Sequence, residues 1–142
     1  MNLKSLSGSQ QVRVTGAMEA VPFAKLLGLR VDTVELTHAV LTMEIREDLK
    51  QNNGIVHGGA IATLIDSSMA FAIIPRLEEN ETSTTVDLTI HYLRPLVSGV
   101  ATATAKVIRA GRRVIVVSAE VVDDQSRLAA TAVSTYMRIA KR

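Results

Sequence analysis

The chain has 142 residues, of which 47% are hydrophobic and 21% charged, with only 3 prolines. That composition describes one folded domain and excludes both a disordered polar tail and a two-domain enzyme with a separate cofactor module. Sixteen Lys and Arg against fourteen Asp and Glu leave +2, too small an excess for a nucleic-acid footprint.

The absence of cysteine excludes disulfides, cysteine-ligated metals and a cysteine nucleophile, and it is compatible with a cytoplasmic setting. Two Phe, two Tyr and no Trp leave the core to Ala, Val, Ile, Leu and Met. Small and β-branched side chains on that scale favour sheets in close contact with helices.

Residues 1–14 carry no strong pattern and are expected to form a loose arm, too finely alternating for a signal-peptide core. From Thr15 to Leu29 the pattern is helical, with Phe23, Leu26 and Leu27 on one side and Gly28 as a stop. Ala39, Leu41, Met43 and Ile45 then alternate with polar or smaller neighbours as a strand does, and Asp48 to Gly54 is a loop.

His57 to Ile74 is the one long helix, apolar almost all round and ended by Pro75; such a helix belongs inside a protein. Asp66 near its middle would be costly in lipid, which argues against membrane insertion. After a polar loop come four strands, around Val86–Tyr92, Ala101–Val107, Arg113–Val122 and Leu128–Ile139. The connections are short, so these strands are expected to be antiparallel neighbours in chain order.

The resulting class is α+β, with one antiparallel sheet curled around one helix. The strand from Arg113 is apolar on both faces, with Ile115, Val117, Ala119 and Val121 beside Val114 and Val116. A second copy of the chain is the plainest cover, so a homo-oligomer is expected.

Polar residues gather at Gln51-Asn52-Asn53-Gly54 and His57-Gly58-Gly59, with Asp66 nine residues after His57. On one straight helix that interval is roughly 13 Å, so His57 and Asp66 cannot touch within a chain. They can face one substrate only if two subunits contribute or the ligand runs along the helix.

Gly58 and Gly59 sit where a helix start leaves N–H groups unpaired, and their bare backbone admits a ligand oxygen, although a tight turn alone also explains them. A carboxylate in an apolar helix is expensive, which makes Asp66 either a base or nucleophile or a paired structural group. Ser67 and Ser68 lack a nucleophile elbow. Arg94, Arg109, Arg112 and Arg113 form either a solvated hairpin end or a phosphate-binding rim. Asp123-Asp124 is a turn without the further groups a metal would need.

The segment Gln51-Asn52-Asn53-Gly54-Ile55-Val56-His57-Gly58-Gly59 followed by Asp66, and the segment Thr85 to Pro95, resemble the two signatures of hotdog-fold acyl-CoA thioesterases of the phenylacetic-acid-degradation type. With the element order, the resemblance covers roughly residues 20–140. It implies a hotdog fold, in which a five- to six-stranded antiparallel sheet wraps one long helix in a single domain. It also implies dimers, often paired into tetramers, with active sites between subunits.

Carried over by position, the Gly58 N–H would polarise the thioester carbonyl beside His57. Asp66 of the partner subunit would act as base or nucleophile, and Thr85, or Thr84 after a register shift, would orient water or hold Asp66. Gln51 departs from relatives that pair an asparagine with the helix aspartate, so the water is positioned either by Gln51 or by Asn52 or Asn53. Coenzyme A would enter only as part of the substrate, with no metal or organic cofactor, and its phosphates would meet Arg94, Arg109, Arg112 and Arg113. Ala62, Ile65, Met69 and Ile73 are candidate walls of the acyl pocket, although by helical period they are equally core residues, and Asn53 and Gly59 are further candidate substrate contacts.

The leading expectation is hydrolysis of an acyl-CoA thioester. The alternatives are a non-catalytic acyl-CoA or acyl-carrier binding module and a hotdog enzyme of another type, such as a dehydratase.

Overall fold

The apolar run from His57 folds as helix α3 (Gly58–Ile73) in the computed structural model, which describes residues 1–141. His57 caps it, its Nδ1 accepting the Gly59 N–H at 2.8 Å, which satisfies one of the donors a helix start leaves orphaned. Pro75 then falls in a single 3-10 turn, Ile74–Arg76. Ile61, Leu64, Ile65, Met69, Phe71 and Ile73 are buried. The buried Ser68 satisfies its hydroxyl by donating to the Ile65 carbonyl at 2.7 Å. Ala62, Thr63, Asp66, Ser67 and Ala70 form a half-buried stripe along the other side.

Around this helix curls one open, six-stranded antiparallel sheet: β1 (Leu29–Val34), β2 (His38–Glu44), β3 (Glu81–Tyr92), β4 (Val100–Ala110), β5 (Val114–Val122) and β6 (Leu128–Ala140), in the spatial order β1-β2-β4-β5-β6-β3. This is the hotdog arrangement. The inner face of β4 is Ala101, Ala103 and Ala105, all fully buried, and methyl-sized side chains there let α3 lie close to the strand. Ile115, Val117, Ala119 and Val121 all point to this same inner face. Val114 is 43% exposed and Glu120 lies at the surface. The strand therefore covers one face, and its sequence does not by itself call for a second copy.

Three further expectations are corrected. The expected loose arm of residues 1–14 gives way from Gly8 to helix α1 (Gly8–Ala20), started by a capping box in which Ser7 and Gln10 bond reciprocally. It is anchored by the buried Val14 and, ahead of it, Leu6.

The helical pattern of Thr15–Leu29 divides at Val21-Pro22, since proline starts a helix readily but does not continue one. Its second part is α2 (Pro22–Leu27), closed by Gly28 at φ 71°. Only Leu27 of its apolar trio is buried, while Phe23 and Leu26 stand exposed. The chain then enters β1, a strand not foreseen.

Last, β3 pairs with β6 and not with β4. The seven-residue connection Leu93–Gly99 reaches up to roughly 24 Å, while β3 and β4 are three strand spacings apart, roughly 14 Å. A short loop could therefore cross the end of the sheet. It does so held by bonds from Leu93 N–H to the Ala129 carbonyl and from Val56 N–H to the Leu96 carbonyl, each 2.8 Å.

Candidate active site

Two separate polar half-sites lie along the contact of α3 with β3. The first is the helix start. Because His57 Nδ1 accepts the Gly59 N–H, the proton of the neutral ring sits on Nε2, and the ring is exposed. The Gly58 N–H has no acceptor among the described residues.

Tyr92, from the end of β3, donates its hydroxyl to the Gly58 carbonyl at 2.9 Å. A β-carbon on Gly58 would come within 3.3 Å of that phenol ring, so the glycine permits this close approach as well as baring its N–H. A cavity of about 410 Å³ adjoins this point, lined by Gln51, Ile55, Gly58, Tyr92 and Arg94. Gln51, Gly58 and Arg94 are thus in one place. Asn52, Asn53 and Gly59 lie beside it and do not line that cavity.

The second half-site is Asp66, half-buried and eight residues further along α3, roughly 12 Å from Gly58 along the axis. Its Oδ1 accepts two hydroxyl donors, Thr85 at 2.9 Å and Tyr136 at 2.7 Å. Thr84 faces away and is exposed. A bulge at Val86 decides between the two threonines. Thr85 pairs with Tyr136 but Asp87 pairs with Thr135, so Val86 is an extra residue that reverses the alternation. Thr85 therefore shares the helix-facing side with Leu88 and Ile90, which strict period-two counting denies it.

Tyr136 is 2% exposed. Burial first, and then the hydrogen bond and charge of Asp66, push its phenol far above the ordinary tyrosine range. It stays a neutral donor at any physiological pH.

Sequence reasoning missed both tyrosines. Tyr136 lies 70 residues from Asp66, and no spacing rule connects them. The usable signal was general: a tyrosine at a buried strand position needs a partner for its hydroxyl.

Other expected contacts separate. Met69, Ile65 and Ile73 are wholly buried and pack in the core of the chain, whereas Ala62 lies on the half-buried stripe of Asp66. Arg109, Arg112 and Arg113 surround the exposed β4–β5 turn and a cavity of about 430 Å³. Val114 pairs there with Met137, at the Asp66 end of the sheet, whereas Arg94 stands at the Gly58 end. The single arginine rim is thus divided in two. Asp123 closes the β5–β6 turn by accepting from the Gln125 and Arg127 N–H groups and the Arg127 side chain.

Comparison with known proteins agrees with this architecture. The chain is similar to the medium/long-chain acyl-CoA thioesterase YigI of Salmonella typhimurium, with 30% identity over 93% of this chain and 96% of the relative. It is also similar to the 1,4-dihydroxy-2-naphthoyl-CoA hydrolase of Listeria monocytogenes, with 26% identity over 72% of this chain and 83% of the relative. Among solved structures, the PaaI protein of the Escherichia coli phenylacetic acid degradation operon superposes with a TM-score of 0.87 at 27% identity, covering 96% of this chain and 97% of that one. The model of the thioesterase superfamily matches residues 53–130, a span that runs from the helix-start loop through Asp66 and Thr85 into β6. With its hotdog fold and its relatives among PaaI- and YigI-type enzymes, the chain belongs to the thioesterase superfamily.

Proposed function

We propose that the protein hydrolyses acyl-CoA thioesters at composite sites, each made from the helix start of one subunit and Asp66 of the partner subunit. The observation that carries this is where the half-sites sit on β3. This strand is one of the two edges of the sheet, with Thr85 beside Asp66 and Tyr92 beside Gly58.

An edge strand offers unpaired backbone groups to a second strand. Antiparallel pairing of β3 with its own copy, about a two-fold axis at Thr89, sets Thr85 opposite the partner's Tyr92 once the extra residue Val86 is counted. Each Asp66 then meets the helix start of the other subunit, twice per dimer, as two-fold symmetry requires.

In such a site the thioester carbonyl accepts from the Gly58 N–H, with the positive helix end and His57 Nε2–H beside it, so charge developing on oxygen is stabilised. Asp66 either takes a proton from water, which attacks the carbonyl carbon, or attacks it directly to give an acyl-aspartyl anhydride that water then opens. The C–S bond breaks, and the coenzyme A thiol and the free acid leave. Gln51, which lines the cavity beside Gly58, holds the water in this reading. Arg94 and the arginines of the β4–β5 turn offer phosphate contacts at the two ends of the β3 edge.

The test is thiol release from a panel of straight-chain and aromatic acyl-CoAs. Wild-type protein turns over at least one class, and Asp66→Asn lowers kcat by about 10²–10⁴-fold. Absence of release from every thioester, by protein that is folded and oligomeric, would overturn the proposal in favour of acyl-CoA binding alone.

A further inference from the structure

Thr85 and Tyr136 are a cross-strand pair of β3 and β6, and both direct a hydroxyl proton at the same oxygen, Asp66 Oδ1, at 2.9 and 2.7 Å. No donor among the described residues reaches Oδ2. The two carboxylate oxygens are therefore unequal. Oδ1 spends its lone pairs on two donors that draw charge toward it, while Oδ2 keeps its own. The Tyr136 hydroxyl also lies 3.0 Å from the Asp66 carbonyl, so its single proton is shared in a three-centre bond whose shorter arm goes to Oδ1. With its ring buried, the phenol cannot turn to water instead.

We propose that Tyr136 is a positioning residue which, with Thr85, clamps Oδ1 and leaves Oδ2 as the oxygen that meets water or the acyl carbon. This rests on the hydrolytic function proposed above. A carboxylate on a flexible torsion would present either oxygen over a range of directions; two donors on one oxygen fix the torsion and select the other oxygen. The bulge at Val86 is what makes the clamp two-sided, since without it Thr85 would face away from α3. A purely packing role for Tyr136 would be met equally by phenylalanine, which differs only by the hydroxyl.

Tyr136→Phe is accordingly expected to lower kcat by about 10–100-fold with KM within about twofold, and to keep its thermal midpoint within a few degrees. Thr85→Val is expected to show the same split between kcat and KM, and it carries the test if Tyr136→Phe fails to fold. Wild-type kcat in the folded variants, with Asp66→Asn inactive, would overturn the clamp while sparing the hydrolytic function. Turnover by Asp66→Asn at the wild-type rate would take Asp66, and the clamp with it, out of the reaction, whereas no thiol release by the folded wild type would sink the hydrolytic function itself.

A readout independent of turnover is the Tyr136 hydroxyl proton. Buried and short-bonded, it should give a slowly exchanging downfield proton resonance, lost in Tyr136→Phe and moved upfield in Asp66→Asn. Its absence from the wild-type spectrum, or its indifference to Asp66→Asn, would count against the clamp whatever the enzyme does.

Discussion

The choice between Thr84 and Thr85 shows how one residue's role turns on a single inserted neighbour. Thr85 reaches Asp66 only because Val86 is bulged out of register, so replacing the exposed Thr84 with valine should leave turnover within about twofold, whereas Thr85→Val should not. Side-by-side kcat values decide it. Met69 makes the complementary case. It resembles a pocket wall by its helical spacing but is fully buried in the core, so Met69→Ala should cost about 2–5 kcal/mol of stability. Denaturant unfolding would show that loss, and the ratio of kcat/KM between short and long acyl-CoAs should not move.

At this scale His57, Gly58, Gly59 and Asp66 were legible because they lie within one short stretch with distinctive chemistry. Tyr92 and Tyr136 were not, since only folding brings them to Gly58 and Asp66.

Among the elements, α3 was the most legible, because an apolar run with a terminating proline has few other solutions. The pairing of β3 was the least legible. Alternation predicts a strand but is silent about which neighbour it takes, and a seven-residue connection can either turn back or cross the sheet end. Helix α1 was hidden for a different reason. Its only fully buried side chain is Val14, and its stability leans on its cap, so Ser7→Ala should cost about 1 kcal/mol. A lowered thermal midpoint would show it, and an unchanged one would mean that packing alone holds the helix.

The β5–β6 turn supplies a prediction with a pH sign. The Arg127 N–H, foremost, and also the Arg127 side chain and the Gln125 N–H hold the Asp123 carboxyl below its ordinary value of 3.8. A lowered folded-state value means the stabilisation is complete above that ordinary value and fades as pH falls through the folded one. Asp123→Asn should therefore lower the thermal midpoint at neutral pH, and the difference from wild type should begin to shrink below the ordinary value of 3.8 and vanish only once pH has fallen through the lowered folded-state value.

For the whole molecule, the division of the polar groups into two ends of one edge strand is the fact that most needs an explanation, and the pairing of copies proposed above is the explanation to be tested. Subunit mixing tests this without a structure of the assembly. Asp66→Asn and Gln51→Ala chains, each weakly active alone, should regain activity when refolded together, because the mixed dimer contains one site with both halves intact. Sites complete within one chain would show no such recovery. Light scattering on the same samples should give a mass of at least two chains.

The two tyrosines also make the protein its own optical probe. With no tryptophan and only two tyrosines in the chain, all near-ultraviolet emission of consequence arises from Tyr92, bonded to Gly58, and Tyr136, bonded to Asp66. Every emitting ring therefore touches one half-site, and none reports on the rest of the fold. An acyl-CoA titration followed by tyrosine fluorescence would register events at the β3 edge without a label, and Tyr92→Phe would leave the carboxylate end as the sole source of signal.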